Sequence, residues 1–411
     1  MRSSGGGGSG AASSTPALLL AAAAACAASF TAGAALATLY HSSRRRETDG
    51  DATYLIAPDL PSLVGSTPLL RVGSLSDATG CDILVKCEFL NPGGSVKDRV
   101  AKAVLELALK GGTLAPGGLV TEGTAGSTGV ALATLAPAYG LSAAVWLPDD
   151  AAPEKAALLA SLAARVTRVR PVPIAHPGHF VHAARAGAAD ATERLGFPTS
   201  LFSDQFESPA SAAVHASTTG PEIWRGTAGR IDAFVCGAGT GGTLAGVGAA
   251  LRAKKPSVRL VLADPPGSAL AAAVTRGVAH GCHDAEGRRR THQVDTVTEG
   301  VGLNRLTPAF RRVLPSLDGV VEVSDAAAIE MSRFVLAHDG LFLGSSSALN
   351  LCGAVATARA LGPGHTVVTL ACDGGERHTS KFWSQACLDG CGLGGAARGP
   401  VRGRGDVRFV G

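Results

Sequence analysis

Between about residues 55 and 387 the chain alternates short, unbroken apolar runs with alanine-rich stretches of helical character, and this alternation limits the possible folds more than any other feature. CDILVKCEF (81–89), LSAAVWLP (141–148), RVTRVRPV (165–172), IDAFVCGAG (231–239), VRLVLAD (258–264) and HTVVTLACD (365–373) have the length and content of strands. VKDRVAKAVLELALKG (96–111), GVALATLAPAYG (129–140), PEKAALLASLAA (153–164) and SALNLCGAVATARAL (347–361) predict helices. Strands that are apolar throughout need cover on both faces, and intervening helices supply it. The expected class is therefore α/β, with parallel sheets. In such sheets ligands collect at loops leaving the carboxyl ends of strands. A chain of 411 residues accommodates one large domain or two ordinary ones.

Composition removes several function classes. Apolar residues make up 46% and charged residues 17%, which suits a packed core rather than a disordered chain. The net charge of +4 is spread along the length, and only 18 aromatics are present, so no basic, aromatic-lined nucleic-acid surface is expected. Nine cysteines without a CxxC favour a reducing compartment over a disulfide scaffold. The polar segment 279–293 reads as a surface insertion; His280, Cys282 and His283 within it lack a second ligand pair, so no metal site is expected.

The two ends differ from the body. Residues 1–54 combine a Gly/Ser/Ala-rich start with the uncharged run Ala17–Leu39, whose 23 residues match a bilayer-spanning hydrophobic helix. Arg44, Arg45 and Arg46 follow it, which places the remainder in the cytosol. This arrangement resembles the signal anchors of mitochondrial outer-membrane proteins. The lack of any acidic residue before Glu47 also suits a cleaved transit peptide and import into a mitochondrion or plastid. Residues 391–411 are Gly/Arg-rich without hydrophobic period and are expected to form a disordered, solvated tail.

Four glycine- and hydroxyl-rich loops carry the chemistry. NPGGSVKDR (91–99) places Lys97 in the first turn of a helix, among small residues. Lysine is scarce here, 8 against 29 arginines, and its amine forms a Schiff base that a guanidinium cannot, although a solvated lysine at a helix start fits this loop equally well. TEGTAGSTGVALA (121–133) brings Thr124, Gly126, Ser127, Thr128 and Gly129 to a helix start, where N–H groups and hydroxyls suit a carboxylate; an ordinary helix cap would need only one such hydroxyl. CGAGTGGTLAG (236–246) contains G-x-G-x-x-G at Gly237, Gly239 and Gly242, with Asp264 ending the next strand. That pattern fits a dinucleotide, while the hydroxyls of Thr240 and Thr243 fit a monophosphate equally well. LFLGSSSALN (341–350) sets three serines before a helix, as caps or as a hydroxyl aimed at a ring nitrogen.

Together these loops resemble the cysteine synthase (O-acetylserine sulfhydrylase) family of pyridoxal-phosphate enzymes, in the fold group shared with cystathionine β-synthase. The resemblance spans about residues 61–385 and includes STPLLR (66–71), NPGGSVKDR, TAGSTG (124–129), TTGPEIW (218–224), GTGGT (239–243), EGVG (299–302) and GERHTSKFW (375–383), in the family's order. It implies two doubly wound open-sheet domains of the tryptophan-synthase-β-like fold in a catalytic unit over 55–390. The smaller subdomain would cover about 95–205 and the larger 55–94 plus 206–390.

It further implies that Lys97 holds pyridoxal 5'-phosphate as a Schiff base and later moves the substrate α-proton. Gly239, Thr240, Gly241, Gly242 and Thr243 would cradle the phosphate, with Ser346 on the pyridine nitrogen and Ser127 beside the ring. Thr124, Ala125, Gly126 and Thr128 would bind the substrate carboxylate, with Gln205 closing over it and Gly300 near the amino group. The implied reaction joins O-acetyl-L-serine and sulfide into L-cysteine and acetate, in a homodimer. Departures fall in the substrate region: Ser127 replaces a family asparagine, Ala125 a serine, and Ser208 and Ser211 stand for asparagines near Gln205. Cysteine desulfhydrase or another β-lyase is the nearest alternative. An NAD-dependent oxidoreductase resting on Asp264 and a tethered pseudoenzyme are more distant ones.

Overall fold

The described residues of the computed structural model (56–124, 126–279 and 296–410) hold ten strands in two open sheets. In chain order they are β1 (Leu69–Arg71), β2 (Asp82–Cys87), β3 (Leu119–Gly123), β4 (Ser142–Pro148), β5 (Arg165–Val169), β6 (Ser200–Phe202), β7 (Ala233–Gly237), β8 (Arg259–Asp264), β9 (Gly319–Glu322) and β10 (Thr366–Ala371). One sheet has the order β1-β2-β10-β7-β8-β9 and is parallel except for β1, which runs antiparallel at the edge with Leu70 opposite Val85. The other, β5-β4-β3-β6, is wholly parallel. Both belong to one compact unit, Ala57–Gly411. The α/β class expected from the alternating pattern is what the chain adopts.

The predicted hydrophobic helix over 17–39, the rest of residues 1–54, Ala125, and His280, Cys282 and His283 lie outside the described residues. Among the described residues, no helix is long and apolar enough to cross a membrane.

The strongest core element is the helix Ser345–Leu361, in which 13 of 17 residues are buried. It packs against β7, β8 and β10 on one side and the helix Asp325–Asp339 on the other, so it needs apolar or small residues all round. Its amino end points out of this core into the cavity described below.

A buried ionic cluster holds the helix Lys97–Lys110 in place. The Arg99 guanidinium donates to both Glu88 oxygens at 2.8 Å and to Glu222 at 2.7 and 2.8 Å, and touches Thr67 and Thr218. Lys86 adds a second cation, 2.6 Å from Glu222. Burial alone would raise the Glu222 pKa, but the Arg99 and Lys86 contacts hold it down at about 2. STPLLR, NPGGSVKDR and TTGPEIW, which the sequence could read only as family markers, each contribute one part of this cluster.

The structure corrects the expectation of a disordered 391–411 tail. Gly394–Arg398 is helical, and Val407 and Val410 are buried. Arg359 donates to the Val407 carbonyl at 2.8 Å and to that of Val410, and the Phe409 ring packs 5.7 Å from Phe334. Its arginines are anchored as well, Arg402 on Glu330 and Arg404 on Asp77. With few, irregularly spaced apolar residues, the segment has no period to reveal this packing.

Arg99→Met should leave Glu88 and Glu222 short of a counter-charge in a buried site. Loss of one partner of such a cluster typically costs about 3–5 kcal/mol. A matching drop in unfolding free energy is expected in urea titrations, against less than about 1 kcal/mol for the exposed pair partner Arg71→Met.

Candidate active site

Four helices begin at one cavity. Lys97–Lys110, Ser127–Leu135, Gly242–Lys254 and Ser345–Leu361 each start on its wall, and none has a side-chain N-cap hydrogen bond. The positive ends of their dipoles therefore converge on the cavity and favour an anionic ligand, although the first N–H of two of them already meets a hydroxyl, Lys97 on Ser95 and Gly242 on Thr240 at 3.3 Å. With a volume of about 160 Å³, the cavity suits a small molecule.

Lys97 lines the cavity from the first turn of its helix, its N–H on the Ser95 hydroxyl at 3.2 Å. On one side lie Gly239, Thr240, Gly241 and Thr243. Gly241 has φ +77°, and a Cβ there would stand 2.9 Å from Phe310, so this turn requires glycine. The Thr243 hydroxyl lies 3.2 Å from His215 Nε2. Burial drives the His215 pKa down to about 3, so the ring behind the loop is neutral. Gly242 does not line the cavity: a Cβ on it would reach 1.9 Å from Ser211 Oγ, so its role is close packing.

On the other side stand Thr124, Gly126, Ser127 and Thr128, with Gln205 and Gly300 beside them. Gln205 is buried, accepting from the Thr128 hydroxyl and donating to the Gly123 carbonyl at 3.3 Å. Of the three serines, Ser345 accepts from the Glu299 N–H and Ser347 bridges Cys372 and Asp373, whereas Ser346 lines the cavity. Burial disfavours the thiolate form of both cavity cysteines, pushing the Cys372 thiol up to about 11 and that of Cys236 well above its ordinary value.

One wall carries charges absent from the sequence-based expectation. Asp373, 6% exposed, accepts from Ser127 Oγ at 3.4 Å and faces His378 Nε2 at 3.1 Å. His378 Nδ1 lies 3.1 Å from Glu299, which pairs with Lys155 and, at 3.4 Å, with Lys381. Burial disfavours the imidazolium, yet Asp373 and Glu299 raise the His378 pKa to about 9. Burial also opposes ionisation of Glu299 and Asp373, but His378 keeps both carboxyls below their ordinary values. Only an acid beside Gly300 and a histidine in the closing motif hinted at this chain, and neither stood out by spacing.

The oxidoreductase reading fails on Asp264. This residue is fully buried, accepts from the Ala271 N–H at 2.8 Å and does not line the cavity. Burial raises its pKa to about 7. It cannot hold a ribose.

A family model described as "Pyridoxal-phosphate dependent enzyme" matches residues 60–373. A cysteine synthase 2 of Schizosaccharomyces pombe is 48% identical over 353 residues, covering 85% of this chain and 89% of its own. A protein of Saccharomyces cerevisiae named "Putative mitochondrial cysteine synthase" is 46% identical, over 79% of this chain and 83% of its own. The chain belongs to the pyridoxal-phosphate-dependent enzymes, among the cysteine synthases. Among solved structures, an O-ureido-L-serine synthase covers 82% of this chain and 96% of its own at a TM-score of 0.69 and 29% identity. An O-acetylserine dependent cystathionine beta-synthase from Helicobacter pylori gives 0.66 and 28%, over 80% of this chain and 99% of its own.

The cavity of this cysteine synthase family member fits the family's cofactor. It offers a primary amine, an uncapped helix start with two threonine hydroxyls and a glycine turn for a phosphate, and a serine hydroxyl on a further wall.

The charged wall makes stability pH-dependent. The folded-state pKa of His378, about 9, exceeds its ordinary 6.5. Its contribution is whole below about pH 6.5 and is lost as pH rises through about 9. Asp373, Glu299, Lys155, Lys381 and the adjacent Arg377 are the charged groups around it. Thermal unfolding followed from pH 6 to 10 should show a falling Tm for the wild type, and a flatter profile for His378→Asn.

Proposed function

We propose that this chain makes L-cysteine by β-replacement, exchanging the acetate of O-acetyl-L-serine for hydrosulfide. The observation that carries the reading is the place of Lys97, between an uncapped phosphate-type helix start and a loop of hydroxyls and N–H groups suited to a carboxylate. Bound pyridoxal phosphate supplies an electron sink that acidifies the α-proton and allows loss of the β-substituent.

The protein's own groups do the rest. Gly239, Thr240, Gly241 and Thr243 would hold the phosphate, with Gly242 packing the turn behind them, and the Ser346 hydroxyl would meet the ring nitrogen. A neutral hydroxyl there, unlike a carboxylate, would leave that nitrogen unprotonated. Thr124, Gly126 and Thr128 take the substrate carboxylate, Gln205 closes against Thr128, and Gly300 lies by the amino group. Lys97 Nζ, once free, removes the α-proton and returns it after hydrosulfide has added at the β-carbon. O-Acetylserine and HS⁻ thus become cysteine and acetate, with atoms and charge balanced.

We infer mitochondrial import for its location, supported by the absence of acidic residues before Glu47 and by the name of the Saccharomyces relative. A retained outer-membrane anchor through 17–39, with the catalytic unit in the cytosol, is the competing reading, supported by the uncharged run and Arg44–Arg46. A homodimer is the assembly implied by the family resemblance. Protease added to intact mitochondria should spare an imported enzyme and digest an anchored one.

The purified enzyme should be yellow and release cysteine from O-acetylserine and sulfide. Lys97→Ala should lose turnover and the borohydride-sensitive visible band, whereas Lys254→Ala, at an exposed position, should retain both. Undiminished turnover in Lys97→Ala would defeat the assignment.

A further inference from the structure

Contacts join segments of the four-stranded sheet to loops of the six-stranded one, two of them between residues that line the cavity and two beside it. Lys155 pairs with Glu299, Ser127 Oγ donates to Asp373 at 3.4 Å, Lys381 Nζ donates to the Asp150 carbonyl at 2.9 Å, and the Ser380 N–H donates to Glu154 at 2.9 Å. Lys155 stands apart from the others. It is only 5% exposed, and its stem lies against Gly126, where an added Cβ would come within 2.7 Å of Lys155 Cδ and 3.5 Å of Nζ. The Gly126 backbone at the start of the helix Ser127–Leu135 therefore rests on the Lys155 side chain. That side chain is held in turn by Glu299, next to Gly300 on the opposite wall and fixed there by His378 and Lys381.

A buried ion pair adds little net stability compared with apolar residues of the same shape. What it does supply is a defined geometry, here between two loops that must face the same small ligand. We propose that Lys155 and Glu299 are positioning residues for the amino-acid substrate: their ion pair sets the height and register of loop 124–128 against turn 299–302, and the substrate binds tightly only while it is intact. The inference rests on the reading of loop 124–128 as the carboxylate site. It needs no contact between Lys155 and the substrate, and it leaves the phosphate loop 239–243 and Lys97 untouched.

Lys155→Met keeps the stem under Gly126 and removes the charge; Glu299→Gln keeps the shape and removes the counter-charge. In the holoenzyme, each should raise the KM for O-acetyl-L-serine and the calorimetric Kd for L-cysteine by roughly tenfold or more, the scale of one lost charge-assisted hydrogen bond. Cofactor content and the KM for sulfide should stay near wild type, and kcat should fall much less than KM rises. Lys155→Arg should recover part of the loss.

The double variant Lys155→Met/Glu299→Leu leaves neither Lys155 nor Glu299 as an unpaired charge and separates positioning from stability. A Tm restored toward wild type with KM and Kd still raised supports the proposal. Wild-type KM and Kd in the double variant would overturn it, since the pair would then be structural only. Thr128→Ala distinguishes the two levels of the argument. If it raises Kd for L-cysteine while Lys155→Met does not, the positioning role is wrong and the carboxylate site stands. If Thr128→Ala has no effect on Kd, the carboxylate site itself is misplaced, and the proposal falls with it.

Discussion

The Arg99 cluster is the interaction on which the site depends. A lysine amine on a four-carbon stem is a mobile group, and it is useful only if its backbone is fixed. Arg99 lies two residues after Lys97 and ties the first turn of that helix to the turn after β2 through Glu88 and to the helix Gly220–Gly226 through Glu222. The loop before Lys97 is gripped separately, since Asp98 accepts from the Gly93 N–H and Arg377 donates to the Gly93 carbonyl. Burial lifts the Asp98 pKa to about 6, so this second grip involves a carboxyl more easily protonated than usual. Lys97 is thus held from both sides by charges that never enter the cavity, the kind of supporting shell that a reactive group requires.

Much of the fold was legible because parallel strands buried on both faces must be continuous apolar runs. β2, β4, β7, β8 and β10 all fall inside runs picked out by that criterion, whereas β5 is an edge strand without a buried residue, legible only by its β-branched content. β1, β6 and β9 have only three or four residues, too few for a pattern. β3 was hidden because its Glu122 is buried, with one oxygen accepting from the Ser203 hydroxyl and the Gln205 N–H. The G-x-G-x-x-G spacing was ambiguous for a physical reason: tight turns before helices serve a dinucleotide and a monophosphate alike. Burial of Asp264 separated the two, and burial is not a property of a motif.

The site followed a similar division. Residues next to a helix start could be found from glycines and hydroxyls. The chain Asp373–His378–Glu299–Lys155 could not, because its members come from loops and a helix up to 223 positions apart (155 to 378) and meet only through the fold. Three adjacent serines show the limit of reading by type. Ser345 and Ser347 satisfy backbone groups, and only their middle neighbour is left for a ligand. One helical turn sorts chemically identical residues into scaffold and cavity lining.

The contact of Gly126 with the Lys155 stem has an evolutionary consequence. A side chain at 126 would displace the Lys155 stem, and a change at 155 alters what supports 126, so the two positions are coupled. A lineage that shortened residue 155 would open room for a larger residue at 126, and the return of lysine at 155 alone would then be blocked. Substrate preference in such a pocket would change by paired steps, each retained because its partner had already moved.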